Sequence, residues 1–546
     1  MQISAGLEEM SDGMVRVGDF TIAITDITRG EKLTRLSFAV TRVDAGGTMP
    51  GLMAVVLIDD HDNRYQSELN ISPRGSPADL YSLLPIDFVY IVSTSIAVPK
   101  EAPIVKIKLG EGENIIFKDM QFVTPMFGTH FGNASTDFGE TLSISEYLTF
   151  AIGRPLATVV GWELPVTAEN AEYNSRAFEV RVAVQFRDGY IRWPVNGGVA
   201  GHVPGSSSAT LTPEFIKVSA AMSHGSPQTI LIYIVDMSSG NRSLRLMRAS
   251  ADLFPPVPKR IASWEFTIYD GSGFNKEAGI NVASIDGLNK MHITAGFQPS
   301  FSPDGLRIAF VDSGLRVANA DGSDATLVAE NGLMPAWSPD GTKLAFVGEI
   351  GRLGYQTISV VSADGSALRI LYTGVNWGTY PSNPTWSSDG TRIAFESGFA
   401  RPTIKIVKVQ GSDDISELLP NEPSHNPAWS PDGTKMALVY GYWAGDRDIA
   451  VVNVDGSGLR KLFDGYAFSV AWSPDGSKIA FASDGILLVM NADGTGLSTI
   501  GAGSGPSWAP ALKLTETGLV PVNSSKDMRS AETPMTTATP RIGASP

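Results

Sequence analysis

The 546-residue sequence predicts an all-β chain built largely on one repeated four-stranded unit, and three observations carry that prediction. The first is a phrase: "AWSPDGTKLAF" at 336–346 returns as "AWSPDGTKMAL" from 428 and "AWSPDGSKIAF" from 471, with looser copies "SFSPDGLRIAF" from 300 and "TWSSDGTRIAF" from 385. The second is a hairpin that follows each copy, such as "ISVVSADGSALRIL" at 358–371, turning on an Asp-Gly pair. The third is alternation of apolar residues with mostly polar partners through the N-terminal third, with 56 glycines and 34 prolines in the chain to punctuate short strands.

The phrase reads as a β-hairpin. In Ser338-Pro339-Asp340-Gly341 the proline pre-sets φ at i+1 of a type I turn, the serine bonds locally and the glycine takes i+3. Leu344 and Phe346 point to one face and Ala345 to the other, and the same small residue recurs at Ala309, Ala394, Ala437 and Ala480. A sheet packed on both faces needs bulk on one side and a small residue where its neighbour approaches. Two hairpins make a four-stranded blade, so a period of roughly 40 residues predicts a β-propeller. The turn glycines of the second hairpin are Gly240, Gly287, Gly322, Gly365, Gly411, Gly456 and Gly494, which predicts seven blades from 215 to 510. The earliest, from 216, lacks a first strand, and "GPSWAP" at 505–510 is a surplus one, so a C-terminal strand is expected to close the ring. Six blades is the alternative, if 215–250 belongs with the N-terminal region.

Residues 14–212 alternate as half-buried antiparallel strands: Phe20, Ile22 and Ile24, then Leu36, Phe38 and Val40, then Phe178 through Phe186. Two β-sandwiches fit this stretch, 14–118 and 119–194, and they resemble the immunoglobulin-like modules of bacterial surface proteins. "VNGGVAGHVPGSSSAT" predicts a linker over 195–214. Beyond 511 the composition turns to Ser, Thr and Pro with no apolar period, which predicts a disordered tail over 511–546.

The Trp-Ser-Pro-Asp-Gly repeat followed by an apolar strand ending Ala-Phe resembles the TolB-type β-propellers over about 215–510. Phe301 replaces the tryptophan in one copy and Ser388 the proline in another. The resemblance implies the fold. It leaves function open, because the repeat is shared by periplasmic TolB, by the propellers of prolyl-oligopeptidase-like peptidases and by some polysaccharide lyases. The chain departs from TolB itself, since nothing here matches TolB's mixed N-terminal domain of helices and strands.

Composition narrows the chemistry. A formal net charge of −15 without a basic cluster argues against a nucleic-acid partner. No run approaches the length of a membrane-spanning helix. There are no cysteines, which removes disulfides, thiolate catalysis and cysteine-ligated metal. The six histidines are scattered without zinc spacing, and neither a Gly-x-Ser-x-Gly elbow nor a phosphate loop is present. No cofactor, metal or catalytic residue is therefore expected. Asp304, Asp340, Asp389, Asp432 and Asp475 read as turn residues that bond to nearby backbone. "DDHDN" at 59–63 reads as a solvated hairpin turn, with an oxygen-rich calcium loop as the alternative.

The binding prediction is topological. The Ser-Pro-Asp-Gly turns take one face of the disc, and the longer loops take the other. Those loops carry Arg352, Tyr355, Trp377, Tyr380, Phe399, Arg401, His425, Tyr442, Trp443, Arg447 and Tyr466. Aromatic residues with arginine suit a protein interface or a carbohydrate platform. The expected function is a non-enzymatic binding or scaffold protein, exported although the N-terminal stretch has no signal pattern, that docks a protein or glycan. A cytosolic location stays open. The alternatives are a self-assembling subunit of a surface layer or filament, and a polysaccharide-acting enzyme with its site in the propeller channel.

Overall fold

The computed structural model describes residues 7–9, 14–17, 20–29, 33–43, 53–69, 83–84, 88–99, 102, 104–109, 116–117, 138, 141–193, 199–266, 278–287, 289–350, 355–374, 379–398, 401–410, 415–420, 422–442 and 447–522. Nearly all of the regular structure is antiparallel strand, as the alternation predicts. The chain divides into two compact units, one formed mainly by residues 1–254 and the other mainly by 255–513, which also takes in 157–160.

In the first unit, Phe20–Arg29, Thr34–Arg42 and Val89–Ile96 lie side by side in one sheet, and Met53–Asp59 pairs with Arg64–Leu69 and Ile104–Leu109 in another. Phe20, Ile22, Phe38 and Val40 from the first sheet share one buried core with Val55, Leu57 and Ile107 from the second. The predicted alternation is thus the inner face of a sandwich. Further along, Arg176–Phe186 is flanked on one side by Pro227–Asp236, residue for residue from Phe178↔Asp236 to Gln185↔Thr229. Pro227–Asp236 in turn pairs with Arg242–Arg248.

That pairing corrects the seven-blade expectation. Residues 216–250 carry a hairpin with its turn glycine, Gly240, but its strands complete a sheet of the first unit. Ile230, Leu231, Ile232 and Ile234 are buried, so the strand is covered on both faces and alternation alone could not say by which neighbours. The 195–214 linker is also corrected. Val199–Val203 pairs with Arg176–Phe186, and Ser207–Leu211 pairs with Val166–Asn170. These are largely exposed strands, which need little apolar content, so their Gly/Ser composition mimics a linker. The 119–194 boundary moves for the same reason, since the sheet through Arg176–Phe186 runs on to Arg248. At the C-terminal end, Ala511–Thr515 and Gly518–Val522 are strands with Leu512 and Leu514 buried, so the predicted tail begins at least at 523, outside the described residues.

The second unit contains six four-stranded antiparallel sheets among the described residues. Five are contiguous in sequence, starting at Phe297, Leu333, Pro381, Ser424 and Ala467. The remaining sheet is made of Arg260–Phe266, Ala278–Ser284 and Met291–Ala295, and its fourth member is Ser504–Ala509 from the far end of the chain. The register is the same in all six. Trp337 lies opposite Leu344, Trp386 opposite Ile393, Trp429 opposite Met436, Trp472 opposite Ile479 and Phe301 opposite Ile308. Trp508 lies opposite Ile261 in the same way. The small pair one step earlier also recurs, as Ala336–Ala345 in one sheet and Ser507–Ala262 in the composite one. The surplus strand "GPSWAP" therefore completes "RIASWEF" at 260–266, not the segment from 216.

Four of the five repeated tryptophans tie their sheet to the one before it, the exception being Trp429, whose Nε1 donates to Gly433 O of its own turn at 3.3 Å. Trp337 Nε1 donates to Ser300 O at 3.0 Å, Trp386 to Ala336 O at 3.0 Å, Trp472 to Ala428 O at 3.1 Å and Trp508 to Ala471 O at 3.2 Å. Where Phe301 stands instead, its backbone N–H donates to Ser507 Oγ at 2.8 Å. The cation after the turn adds a second tie. Arg307 stacks over Trp337 at 4.6 Å and donates to Gly341 O, and Arg260 at the equivalent position donates to Gly305 O. Arg260 is fully buried, and desolvation lowers its pKa to about 10.

Candidate functional site: an axial cavity and two loop faces

Each of the six inner strands carries a bulge three residues before its aromatic anchor or close to it, where the pairing register slips. Gln298, Met334, Asn383, Asn426 and Gly505 occupy five of these points with positive φ, between 46° and 59°. In all five a proline follows, at 299, 335, 384, 427 and 506. Proline restricts the residue before it, and asparagine and glycine are the types that reach left-handed geometry most readily. In the sixth strand Ser469 and Val470 take these places.

These strands surround one cavity of about 680 Å³. One end is ringed by the bulge residues Gln298, Met334, Asn383, Asn426, Ser469 and Gly505. Its wall is made of the small residues that precede each anchor, among them Ser300, Ala336, Ala428 and Ala471. The other end is bordered by Pro303, Pro339, Ser388, Pro431 and Pro474 of the Ser-Pro-Asp-Gly turns, all exposed. The cavity therefore opens on the turn face. Among the described residues, none that lines the cavity carries an ionisable side chain.

The bulge ring is cross-linked between neighbouring sheets. Met334 N donates to Gln298 Oε1 at 2.9 Å, Asn383 N donates to Met334 Sδ at 3.4 Å, and Asn426 Nδ2 donates to Phe468 O. Between the sheets that start at Pro381 and Ser424 the link runs through Glu396, whose Oε2 accepts from Asn383 Nδ2 and from Asn426 N, each at 3.3 Å.

The turn aspartates are architectural, as the sequence indicates. Asp340 Oδ1 accepts from Ser338 Oγ, Thr342 N and Thr342 Oγ1, and the set recurs at Asp389, Asp432 and Asp475. The serine hydroxyl is the chief reason that Asp340 and Asp432 ionise below the usual carboxylate range and that Asp389 falls to about 2. Burial opposes ionisation of Asp475, but Lys259 and Ser473 outweigh it and hold that carboxyl low.

On the opposite face the expected site residues divide. Arg352, Trp377, Phe399 and Trp443 lie outside the described residues. Tyr355, Arg401, Tyr442 and Tyr466 are exposed, and Tyr380 is half-buried. His425 and Arg447 are corrections, because both are buried. His425 sits on an inner strand opposite Val439, with Nδ1 3.2 Å from Glu396 Oε1 and Nε2 2.9 Å from Gly441 O. The Arg447 guanidinium is held against Tyr466 at 3.8 Å and Phe468 at 4.0 Å from the ring centres. Residue type suggested binding, but neither guanidinium nor imidazole reveals from sequence whether the fold covers it. The sequence reading also missed Glu396, a buried carboxylate at the end of "RIAFES" where the other repeats have Val311, Val347, Val439 or Ala482.

In the first unit, Asp59 is buried and its carboxylate accepts from His61 N, Asn63 N, Asn63 Nδ2 and Tyr65 OH. The Asn63 side chain is the main cause of its lowered pKa. The stretch is thus a hairpin turn closed on its own acid, with Asp62 at φ 61°. Among the described residues, no helix is long and apolar enough to cross a membrane.

Residues 383–535 match the TolB beta propeller domain family. In structure the chain is similar to TolB from Acinetobacter baumannii, with 18% identity and a TM-score of 0.40 over 54% of this chain and 86% of that one. It is also similar to a chain of a nidogen/laminin complex, with 12% identity and a TM-score of 0.37 over 46% and 98%. An oligogalacturonate lyase from Vibrio parahaemolyticus gives 14% identity and a TM-score of 0.32 over 50% and 85%. No curated protein matches the sequence. Over residues 383–535, then, the sequence matches a TolB-type β-propeller domain.

Proposed function

We propose that the chain is an exported, non-enzymatic binding or scaffold protein. Its six sheets would form a six-bladed propeller closed by Ser504–Ala509, taking an uncharged segment of a protein or glycan partner into the axial cavity. The observation that carries this reading is the cavity wall: it is roomy, open at the proline-ringed turn face, and its described lining is uncharged, made of proline, aromatic, small and amide-bearing side chains with Met334 and Val470. Such a wall offers apolar contact and hydrogen bonds without charge. General acid–base chemistry on a polysaccharide needs a pair of titratable groups facing the substrate, and that chemistry finds no support in these lining residues.

A second reading keeps the loop face, because Tyr442, Tyr466 and Phe468 are exposed at 49%, 44% and 39% and Arg447 stacks against the last two. One experiment separates the two. Neutral oligosaccharides and proline-rich peptides are titrated calorimetrically into the wild type, Ala428→Arg, which fills the cavity, and a Tyr442→Ala/Tyr466→Ala variant. The proposal expects binding that Ala428→Arg abolishes and the tyrosine variant keeps. The reverse pattern moves the site to the loop face, and turnover of a bound oligosaccharide overturns the non-enzymatic reading.

A further inference from the structure

The chain leaves the cavity wall at the cavity's mouth. Pro510 follows Trp508 by two residues, as Pro339 follows Trp337, and so takes the sixth place in the border formed by Pro303, Pro339, Ser388, Pro431 and Pro474. In the other five sheets that place is the second position of a Ser-x-Asp-Gly turn, whereas here the strand Ala511–Thr515 follows at once. Leu512 on that strand exchanges both backbone hydrogen bonds with Val257, at 2.8 and 3.0 Å. A turn at Glu516 and Thr517 then leads into Gly518–Val522, a strand of the same length paired with the first, which returns Val522 to the side of Ala511. Whatever follows Val522 therefore starts next to the open end of the cavity.

The sequence that follows, outside the described residues, holds a run whose chemistry matches the cavity. Residues 533–540 read Thr-Pro-Met-Thr-Thr-Ala-Thr-Pro, the longest uncharged run after Val522, set between Glu532 and Arg541. The described lining of the cavity is uncharged as well and rich in proline and aromatic residues, the surface that takes proline-containing extended segments. We propose that in the free protein this run of the chain's own tail occupies the axial cavity, so that an outside partner has to displace it. The inference rests on the reading of the cavity as the binding site.

Length, reach and concentration each favour this occupant. An inner strand passes from the bulge ring at Gln298 to the mouth at Pro303 in five steps, about 17 Å at the usual rise of a strand. Residues 533–540 in extended polyproline geometry cover about 25 Å, so the run spans the cavity with Glu532 and Arg541 clear of its wall. The intervening residues 523–532 span up to about 35 Å, which is ample for a segment that begins beside the mouth. A tether of this length holds the run at an effective concentration of about 1 mM, so that a contact with a Kd of about 0.1 mM is about nine-tenths formed. The tail of a second copy at micromolar concentration is left almost unbound by the same contact. That difference selects the chain's own tail over a neighbour's.

The absence of cysteine allows a direct test on the full chain. Ser300 lines the cavity and is half-buried, whereas Leu497 is 50% exposed and lies outside the lining. Ser300→Cys/Thr537→Cys and Leu497→Cys/Thr537→Cys chains are oxidised mildly at low concentration, and their disulfides are followed by mass spectrometry. The cavity pair should close within one molecule and faster than the surface pair. A surface pair that closes as fast or faster, or cavity cysteines that pair only between molecules, would overturn the proposal. A second arm titrates a proline-rich peptide into the wild type and into Thr537→Glu, whose charge is costly to bury in an uncharged wall. The variant should bind the peptide about tenfold more tightly, the factor by which a cavity about nine-tenths filled weakens apparent affinity. Equal affinities would overturn self-occupancy and leave the cavity reading standing. A peptide that binds neither chain, beside a cavity disulfide that forms first, upholds the tail contact and counts against the cavity as a site for outside partners.

Discussion

Replacing Trp337 by phenylalanine isolates what the repeated indole N–H contributes. Trp337 is 7% exposed and packs with Leu315 and Val317 of the sheet before it and with Leu344 and Val361 of its own. Phenylalanine keeps an aromatic ring there, as Phe301 does in the neighbouring repeat, but removes the donor 3.0 Å from Ser300 O. Losing a neutral hydrogen bond costs about 0.5–1.5 kcal/mol, and leaving the half-buried Ser300 carbonyl unsatisfied raises that toward about 3 kcal/mol at most. Full truncation to alanine also removes the inter-sheet packing and the ring under Arg307, for a total of about 3–5 kcal/mol. In a domain of roughly 250 residues each kcal/mol shifts Tm by about 2–4 °C. Trp337→Phe should therefore lower Tm by roughly 1–12 °C, and Trp337→Ala by roughly 6–20 °C. The assay is thermal unfolding beside Leu497→Ala, a side chain 50% exposed that should change stability by no more than about 0.5 kcal/mol. If Trp337→Phe matched Leu497→Ala, the indole bond would have no part in joining the sheets.

Three other outcomes follow from the same contacts. The turn aspartates ionise below the ordinary range, so the stability they contribute is complete above the unfolded carboxyl value and is lost only as the pH falls through their folded values, near 2 for Asp389. Tm should hold from neutrality down to about pH 5 and drop below about pH 4, with a shallower acid limb in Asp389→Asn. Ser388→Pro restores the residue that the other Ser-Pro-Asp-Gly turns carry and should raise stability by about 0.4–1 kcal/mol in denaturant melts; a loss would show that this turn's backbone differs from theirs. Asp59→Ala strips four donors of their acceptor and should destabilise the first unit by about 1–3 kcal/mol, while adding calcium to the wild type should leave its melting unchanged.

The repeat was legible because its signals are local. A Ser-Pro-Asp-Gly turn, an alternating strand and an Asp-Gly hairpin can each be read within a few residues. What the sequence obscured was non-local pairing. "RIASWEF" at 260–266 has the look of "KLAFVG", yet no turn precedes it, because its partner lies more than two hundred residues downstream. The hairpin around Gly240 imitates a half-blade, and only its pairing with Arg176–Phe186 shows where it belongs. The exposed strands at 199–203 and 207–211 carry too few apolar residues to announce themselves. At the site, burial was the hidden variable. Arg447 meets its rings across some twenty residues, and His425 finds Glu396 on a different sheet.

The closure of the second unit is the most direct point at which to test the account, and the absence of cysteine makes a clean experiment available. Ala262 and Ser507 are small, directly opposed partners on Arg260–Phe266 and Ser504–Ala509. A chain carrying Ala262→Cys and Ser507→Cys, purified reduced and then mildly oxidised, should form one intramolecular disulfide. That disulfide should be found by mass spectrometry as a cross-link between peptides from the two ends of the unit and should be accompanied by a raised Tm. Two cysteines that stay free in the folded protein, or that pair only between molecules, would contradict the proposed closure of the six sheets.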